Sequence, residues 1–345
     1  MRLIRLEDRA EIERLHKAVL APRIKSRLDG VLAGYASSRH QNVCDYVSKL
    51  REYSVDDFLV MSVNDMRNLV SAVDSYMPAV PFYRTRCRSG SDEAEFRKLN
   101  ADLKTCFDYE WFSKKTKDKE WDLWKLAERL NKHLKFCPYC NAETIYAITI
   151  KDGKTRLIKS AFDHYFPRGR YPFLGLSLYN LIPACTRCNS GLKGDQYVGL
   201  VSMAHPYALE HPDTMTDEDM HHKMKFNLIF NDAKCLSYCG SENIGRIIFS
   251  ERVKGTFERG LKWEALFHIG ACYTNIYRDD AAVAFRRATA YPQSYLNSKE
   301  DELRSAGLPV IGLEEFLYGA PLDQDEINKH RFGKLICDIV ETYRK

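Results

Sequence analysis

Two Cys-x-x-Cys pairs, Cys137-Pro-Tyr-Cys140 and Cys185-Thr-Arg-Cys188, constrain this chain more than any other feature. With 11 cysteines in 345 residues, chance placement would supply roughly a third of one such pair. Two pairs bracketing one short segment are therefore a pattern. Thiolates suit Zn²⁺, and four of them fill its tetrahedral shell without an open position, which predicts a structural site on Cys137, Cys140, Cys185 and Cys188. Metal binding would contribute folding free energy to a βα unit too small to hold itself together. The cysteine total is odd, and the N-terminus (Met1-Arg-Leu-Ile-Arg-Leu-Glu-Asp) lacks the continuous apolar stretch of a signal peptide, so reduced thiols and a cytoplasmic address are expected. Cys235 and Cys239, near His221 and His222, have an uninformative spacing and read as buried thiols.

Between and beside the pairs stand Asp163-His164-Tyr-Phe-Pro167, Asn180-Leu, Asn189 and Lys193-Gly-Asp195. Hydrolysis of a phosphodiester needs an activated water and a cation to neutralise charge on the phosphate and leaving oxygen. His164 can take a proton near neutral pH. Asp163 and Asn189 offer hard oxygen ligands for Mg²⁺ or Mn²⁺, and Asn180 can brace the loop through a backbone hydrogen bond. Adjacent residues of a regular strand point to opposite faces, so Asp163 and His164 address one phosphate only if the chain bends at the strand end. Pro167 and Gly169 make such a turn available.

Charge agrees with a polyanionic partner. Residues 151–200 hold eight Lys or Arg against three Asp, an excess equal to the chain's whole net charge of +5. A local positive field suits DNA, or failing that RNA. Arg168, Arg170, Arg187 and Lys193, on the loop and helix start around the site, are the candidate phosphate contacts. Tyr165, Tyr171 and Tyr179 either stack on bases or pack. Lys114, Lys115, Lys117 and Lys119 form a second basic run.

The chain divides into a helical region 1–135, a site-bearing unit 136–200 and a mostly helical region 201–345. Ile12, Leu15 and Val19, and later Trp121, Trp124, Leu130 and Leu134, fall at helical spacing. Thr144–Ile150 and Thr155–Phe162 read as a hairpin turning at Asp152-Gly153, followed by a short strand at Leu181-Ile182 and a helix beginning near Asn189. Phe257–Arg278 and Asp323–Tyr343 read as helices. The longest uncharged run, Tyr171–Thr186, is 16 residues and contains two prolines, short of the roughly 20 apolar residues of a membrane span.

The run Cys-x-x-Cys, Asp163-His164-x-x-Pro167, Asn180-Leu, Cys185-x-x-Cys188-Asn189, Lys193 resembles the HNH endonuclease family, over about residues 135–197. That resemblance implies an α+β protein: a mainly helical chain with an inserted ββα-metal nuclease unit carrying a four-cysteine zinc site. His164 then matches the general base, Asp163 and Asn189 the metal ligands, and Asn180 the residue bracing the base loop. Asn189 stands where the family's second histidine is usual. The family's chemistry is in-line attack of water to give 5′-phosphate and 3′-hydroxyl ends. The wider layout is similar to nuclease subunits of Septu-like and retron-associated antiphage systems, which work with an ATPase. No Gly-x-x-x-x-Gly-Lys-Ser/Thr occurs here, so such control would come from a separate ATPase subunit. The same residues leave two other readings open: an HNH-type ribonuclease acting on tRNA, for example, or a non-catalytic zinc module that binds nucleic acid or protein.

Overall fold

The computed structural model describes residues 4, 6, 8–79, 81–84, 86–114, 119–152, 154–207, 220–232, 240–323 and 326–344, with backbone alone at 149–152, 154–158 and 221. Lys115, Lys117, Gly153, Cys235 and Cys239 lie outside them. The protein is α+β and mainly helical, with three two-stranded antiparallel sheets among the described residues.

The N-terminal part comprises α1 (Arg9–Tyr35), α2 (Gln41–Leu50), α3 (Val55–Val60), α4 (Val63–Asp74), α5 (Asp92–Cys106), α6 (Tyr109–Ser113) and α7 (Leu123–Leu130). Helices α3 to α7 begin where Ser54, Ser62, Ser91, Asp108 or Asp122 accepts the backbone N–H three residues on, satisfying a donor the helix cannot. Of the expected apolar stripes, Ile12, Leu15, Trp121, Trp124, Leu130 and Leu134 are buried and Val19 packs at the core's edge. Trp121 lies outside a helix because Asp122 caps α7 one residue later.

The expected hairpin forms, as β1 (Ala147–Asp152) paired with β2 (Lys154–Lys159). It is not the sheet that carries the site. At Ser160 the chain leaves it, and β3 (Ala161–His164) pairs instead with β4 (Leu181–Ala184), Phe162 opposite Pro183 and His164 opposite Leu181. Asp163 and His164 both lie within this regular ladder, so no bend separates them; the turn follows, where Arg170 and Tyr171 donate to the Pro167 carbonyl. In place of an α-helix from Asn189, a π-helical turn spans Arg187–Lys193. The Asn189 carbonyl accepts from the Gly194 N–H, whose φ of +50° suits a residue without Cβ.

Beyond lie α8 (Met220–Lys223), β5 (Met224–Phe230), β6 (Ile244–Glu251), α9 (Glu258–Phe267), α10 (Ile269–Ile276), α11 (Arg278–Ala290), α12 (Gln293–Ser305), α13 (Leu313–Tyr318) and α14 (Gly333–Tyr343). The β5–β6 pair was not expected, although Met224, Phe226 and Leu228 are buried at the period of two that marks a strand. His268, at φ +46°, splits Phe257–Arg278 into two helices. The last helix starts only at Gly333, after Phe332 at φ +59°. Asp338 ties α14 to the sheet: it pairs with Lys334 at 2.5 Å and Arg252 at 2.8 Å, and accepts from the Phe226 N–H at 2.9 Å.

Buried side chains from all three regions join one apolar cluster. Its centre is the segment after the site strand: every residue from 170 to 185 is buried, which accounts for the uncharged run. N-terminal helices hold this loop. Asn100 donates to Gly169 O at 2.7 Å and Tyr171 to Asp74 at 2.9 Å, and the Tyr179 hydroxyl meets Glu13. His16 is fully buried, its Nε2–H donating to Leu176 O at 2.7 Å while Nδ1 accepts from Trp121 Nε1–H at 3.0 Å.

Burial pushes the His16 pKa down to about 4. The unfolded chain takes up a proton below about 6.5 that the folded chain refuses until about 4, so stability is full above the upper value and falls through that window. At about 1.4 kcal/mol per pH unit this single group removes roughly 3 kcal/mol. His16→Gln keeps a donor and an acceptor but cannot titrate; urea unfolding across pH 4 to 7 should show a visibly shallower acid slope, and an unchanged slope would refute the assignment.

Candidate metal centre and active site

The four cysteines of the two pairs are buried, and their sulfurs all lie within 4.8 Å of one another. Cys140 and Cys185, 45 residues apart in sequence, have sulfurs 4.0 Å apart. A tetrahedron of Zn–S bonds of about 2.3 Å has edges of about 3.8 Å, so the cluster can hold a metal ion such as zinc. The knuckle backbone supports it: Cys185 N–H points at Cys137 Sγ and Cys188 N–H at Cys185 Sγ, both at 3.4 Å. Burial, ahead of the neighbouring sulfurs, holds the Cys137 thiol well above its ordinary pKa; a bound cation reverses that preference. Among the described residues, no other group of three or more His, Cys, Asp or Glu ligand atoms converges in this way.

The first knuckle is anchored on its far side. Asn141 adopts φ +53°, a left-handed conformation that asparagine tolerates. It donates to Ile327 O at 3.3 Å and accepts from Lys334 N–H at 3.0 Å, while Tyr273 donates to Cys140 O at 2.7 Å. The C-terminal helices thus brace the cysteine cluster.

Tyr139, inside that knuckle, reaches the other site. Its hydroxyl donates to Asp163 Oδ2 at 2.5 Å, and Lys193 Nζ donates to Asp163 Oδ1 at 2.9 Å and to His164 O at 2.8 Å. The side chains of Tyr139, Asp163 and Lys193 are all buried, and a buried carboxylate requires such partners. His164 is half-buried. Its Nε2 lies 3.0 Å from Gly175 O; a carbonyl only accepts, so the proton sits on Nε2 and Nδ1 is left to accept. The Tyr109 ring packs edge-on at 4.6 Å. Burial first, then Arg168, pushes the His164 pKa down to about 3, leaving a neutral imidazole. Asn180 is buried and makes three backbone bonds, accepting from Phe166 N–H at 2.7 Å and donating to Phe166 O at 3.0 Å and Leu174 O at 2.9 Å.

A cavity of about 330 Å³ opens at the end of β3, and Asp163, His164, Asn189 and Arg168 all line it. Asn180 is buried and does not line it. The Asn189 amide makes no side-chain hydrogen bond among the described residues. A wider depression of about 860 Å³ runs beside α12, but one exposed helix and its cap line it, so no residues converge there.

Several expected phosphate contacts face elsewhere. Arg170 is buried, bonded to Asp74 at 3.1 Å and Pro78 O at 3.2 Å. Lys193 is consumed by Asp163. Arg187 turns away from the cavity to Tyr277, at 2.6 Å, and Glu143; its Nε and Nη2 are buried without a partner, close enough to Cys140 and Cys188 to feel their charge. Only Arg168 borders the cavity, paired at 3.0 Å with exposed Glu110. Tyr165, Tyr171 and Tyr179 are fully buried and pack, and Lys119 is taken up by the carbonyls of Trp111 and Lys114. One charged cavity residue escaped the sequence reading, Lys104; Asp195, of the Lys193-Gly-Asp195 run, also lines the cavity, its carboxylate meeting Arg84. Lys104 had no motif to flag it, sitting in an ordinary helix 59 residues before Asp163.

No family model matches this chain, and no curated protein or solved structure matches it significantly. Among the described residues, no helix is long and apolar enough to cross a membrane.

Purified protein should carry about one zinc per chain. Cys185→Ala should lose that zinc and about 4 kcal/mol or more of stability, checked by metal analysis and thermal unfolding; a variant that keeps both would contradict a four-cysteine metal site.

Proposed function

We propose that this chain is a metal-dependent endonuclease of the HNH type that hydrolyses phosphodiester bonds in DNA. The observation that carries this reading is that Asp163, His164 and Asn189 all line one cavity, Asp163 and His164 as the last two residues of β3, where the ladder ends and the chain turns. They stand on a strand pair and a following helical turn that a four-cysteine cluster clasps. The order strand, strand, helical turn supports the reading by its likeness to a ββα-metal unit, with β4 in place of a partner from the β1–β2 hairpin and a π-helical turn in place of the α-helix.

Within this reading His164 is the general base. Gly175 O holds its Nε2–H, so Nδ1 takes the proton of the attacking water. Asn180 fixes the loop that presents Gly175 by bonding the carbonyl of the preceding Leu174. Asp163 and Asn189 fit a hard cation. Each Asp163 oxygen keeps a lone pair beyond its present hydrogen bond, Tyr139 and Lys193 fix its orientation, and the Asn189 amide is uncommitted. Mg²⁺ or Mn²⁺ held there would neutralise charge developing on the phosphate and leaving oxygen. Arg168 stands at the cavity to meet a phosphate oxygen.

The biological setting we infer is that of an antiphage effector nuclease. Its support is the resemblance of the layout, a nuclease unit between helical regions. Nucleotide-driven control would fall to a separate ATPase subunit.

His164→Ala should lower plasmid cleavage in Mg²⁺ or Mn²⁺ at least ~100-fold, the scale of general-base catalysis, with zinc content and unfolding temperature unchanged. Full activity in that variant sinks the assignment. Parallel incubation with total RNA decides the substrate, and no cleavage of either polymer by the unaltered chain would leave a zinc-dependent binding module.

A further inference from the structure

The charges around the cavity do not balance. Its two acids already have cations: Asp163 has Lys193 at 2.9 Å, and Asp195 has Arg84. Lys104, in the last turn of α5, also lines the cavity, yet among the described residues no acid pairs with it. The nearby cation is Arg168, which lines the same cavity. Arg168 has exposed Glu110 at 3.0 Å, so Lys104 is the cation left over at the cavity, beside Arg168. Nor is Lys104 on a loose element. Leu99 and Leu103 of α5 are buried, and Asn100, one turn earlier, donates to Gly169 O at 2.7 Å, the residue after Arg168.

We propose that Lys104 and Arg168 form a cationic clamp for a phosphate of the bound nucleic-acid strand, the N-terminal helices supplying one arm and the site loop the other. The proposal deepens the nuclease reading and rests on it. It makes the helical region part of the substrate site, with a phosphodiester held beside His164.

The test is binding of a short fluorescent DNA duplex to the full chain carrying His164→Ala, with and without Lys104→Gln, across a salt series. Lys104 is an exposed residue and Gln suits a helix, so folding is preserved; equal unfolding temperatures check this. Loss of one phosphate contact should weaken binding by ~5- to 10-fold and make log K against log[salt] shallower by about one unit. Lys104→Arg should restore both. Identical affinity and slope in the Gln variant overturn the clamp, as does failure of the parent to bind. Cleavage is scored separately on chains with His164 intact. Binding that depends on Lys104 without any cleavage leaves the clamp standing and fells the nuclease reading; cleavage with binding indifferent to Lys104 does the reverse.

Discussion

Four sulfurs arriving from two turns 45 residues apart set the geometry of everything near the cavity. Closing a loop of that length costs chain entropy that grows slowly with length, and the buried thiols repel a second ionised neighbour. A bound cation offsets both. The consequence passes along the backbone. Cys185 directly follows β4, β4 fixes β3 through their ladder, and β3 carries Asp163 and His164. The next turn holds Asn189, and from the other knuckle Tyr139 reaches Asp163. A displacement of the clasp would move the acid, the histidine and the amide together.

Buried charge is the second constraint, and it explains why so few cations face the cavity. A carboxylate taken out of water needs a partner, and this fold meets the need with lysines and arginines from its basic segment and from beyond it. Lys193 is used on Asp163 and Arg170 on Asp74, joining site loop to α4. Lys334 and Arg252 are used on Asp338, joining α14 to the sheet. The local excess of positive charge is thus partly structural. What remains at the cavity is Arg168 and, from a different region, Lys104.

This separates what sequence could reveal from what it could not. The cysteine cluster was legible because metal chemistry demands four ligands and spacing betrays two at a time. The loop-bracing position of Asn180 followed from amide chemistry, and the burial of residues 171–185 was implicit in their lack of charge. The fate of the basic residues was not legible: Arg170 finds its acid 96 residues away, and nothing local announces such a partner. The strand pairing is hidden for the same reason. A hairpin is a local signal, whereas β3 pairs with a strand beyond a long buried loop. The β5–β6 pair does carry a local period of two, in Met224, Phe226 and Leu228, which stronger helical signals on either side obscure.

The same burial bears on how a polymer would reach the site. Residues 170–185 are packed inside and tied to α1, α4 and α5, so the loop presenting the Gly175 carbonyl belongs to the core and does not serve as a lid. His164 and its acceptor are consequently preformed. On the nuclease reading, a cavity of about 330 Å³ with walls of carboxylate, amide, imidazole and cations meets a phosphate, which is alike in every nucleotide. Discrimination between base sequences then falls to surfaces beyond the cavity, while DNA is told from RNA by whatever meets the 2′ position of the sugar; the acid and the histidine supply chemistry without choosing the sequence.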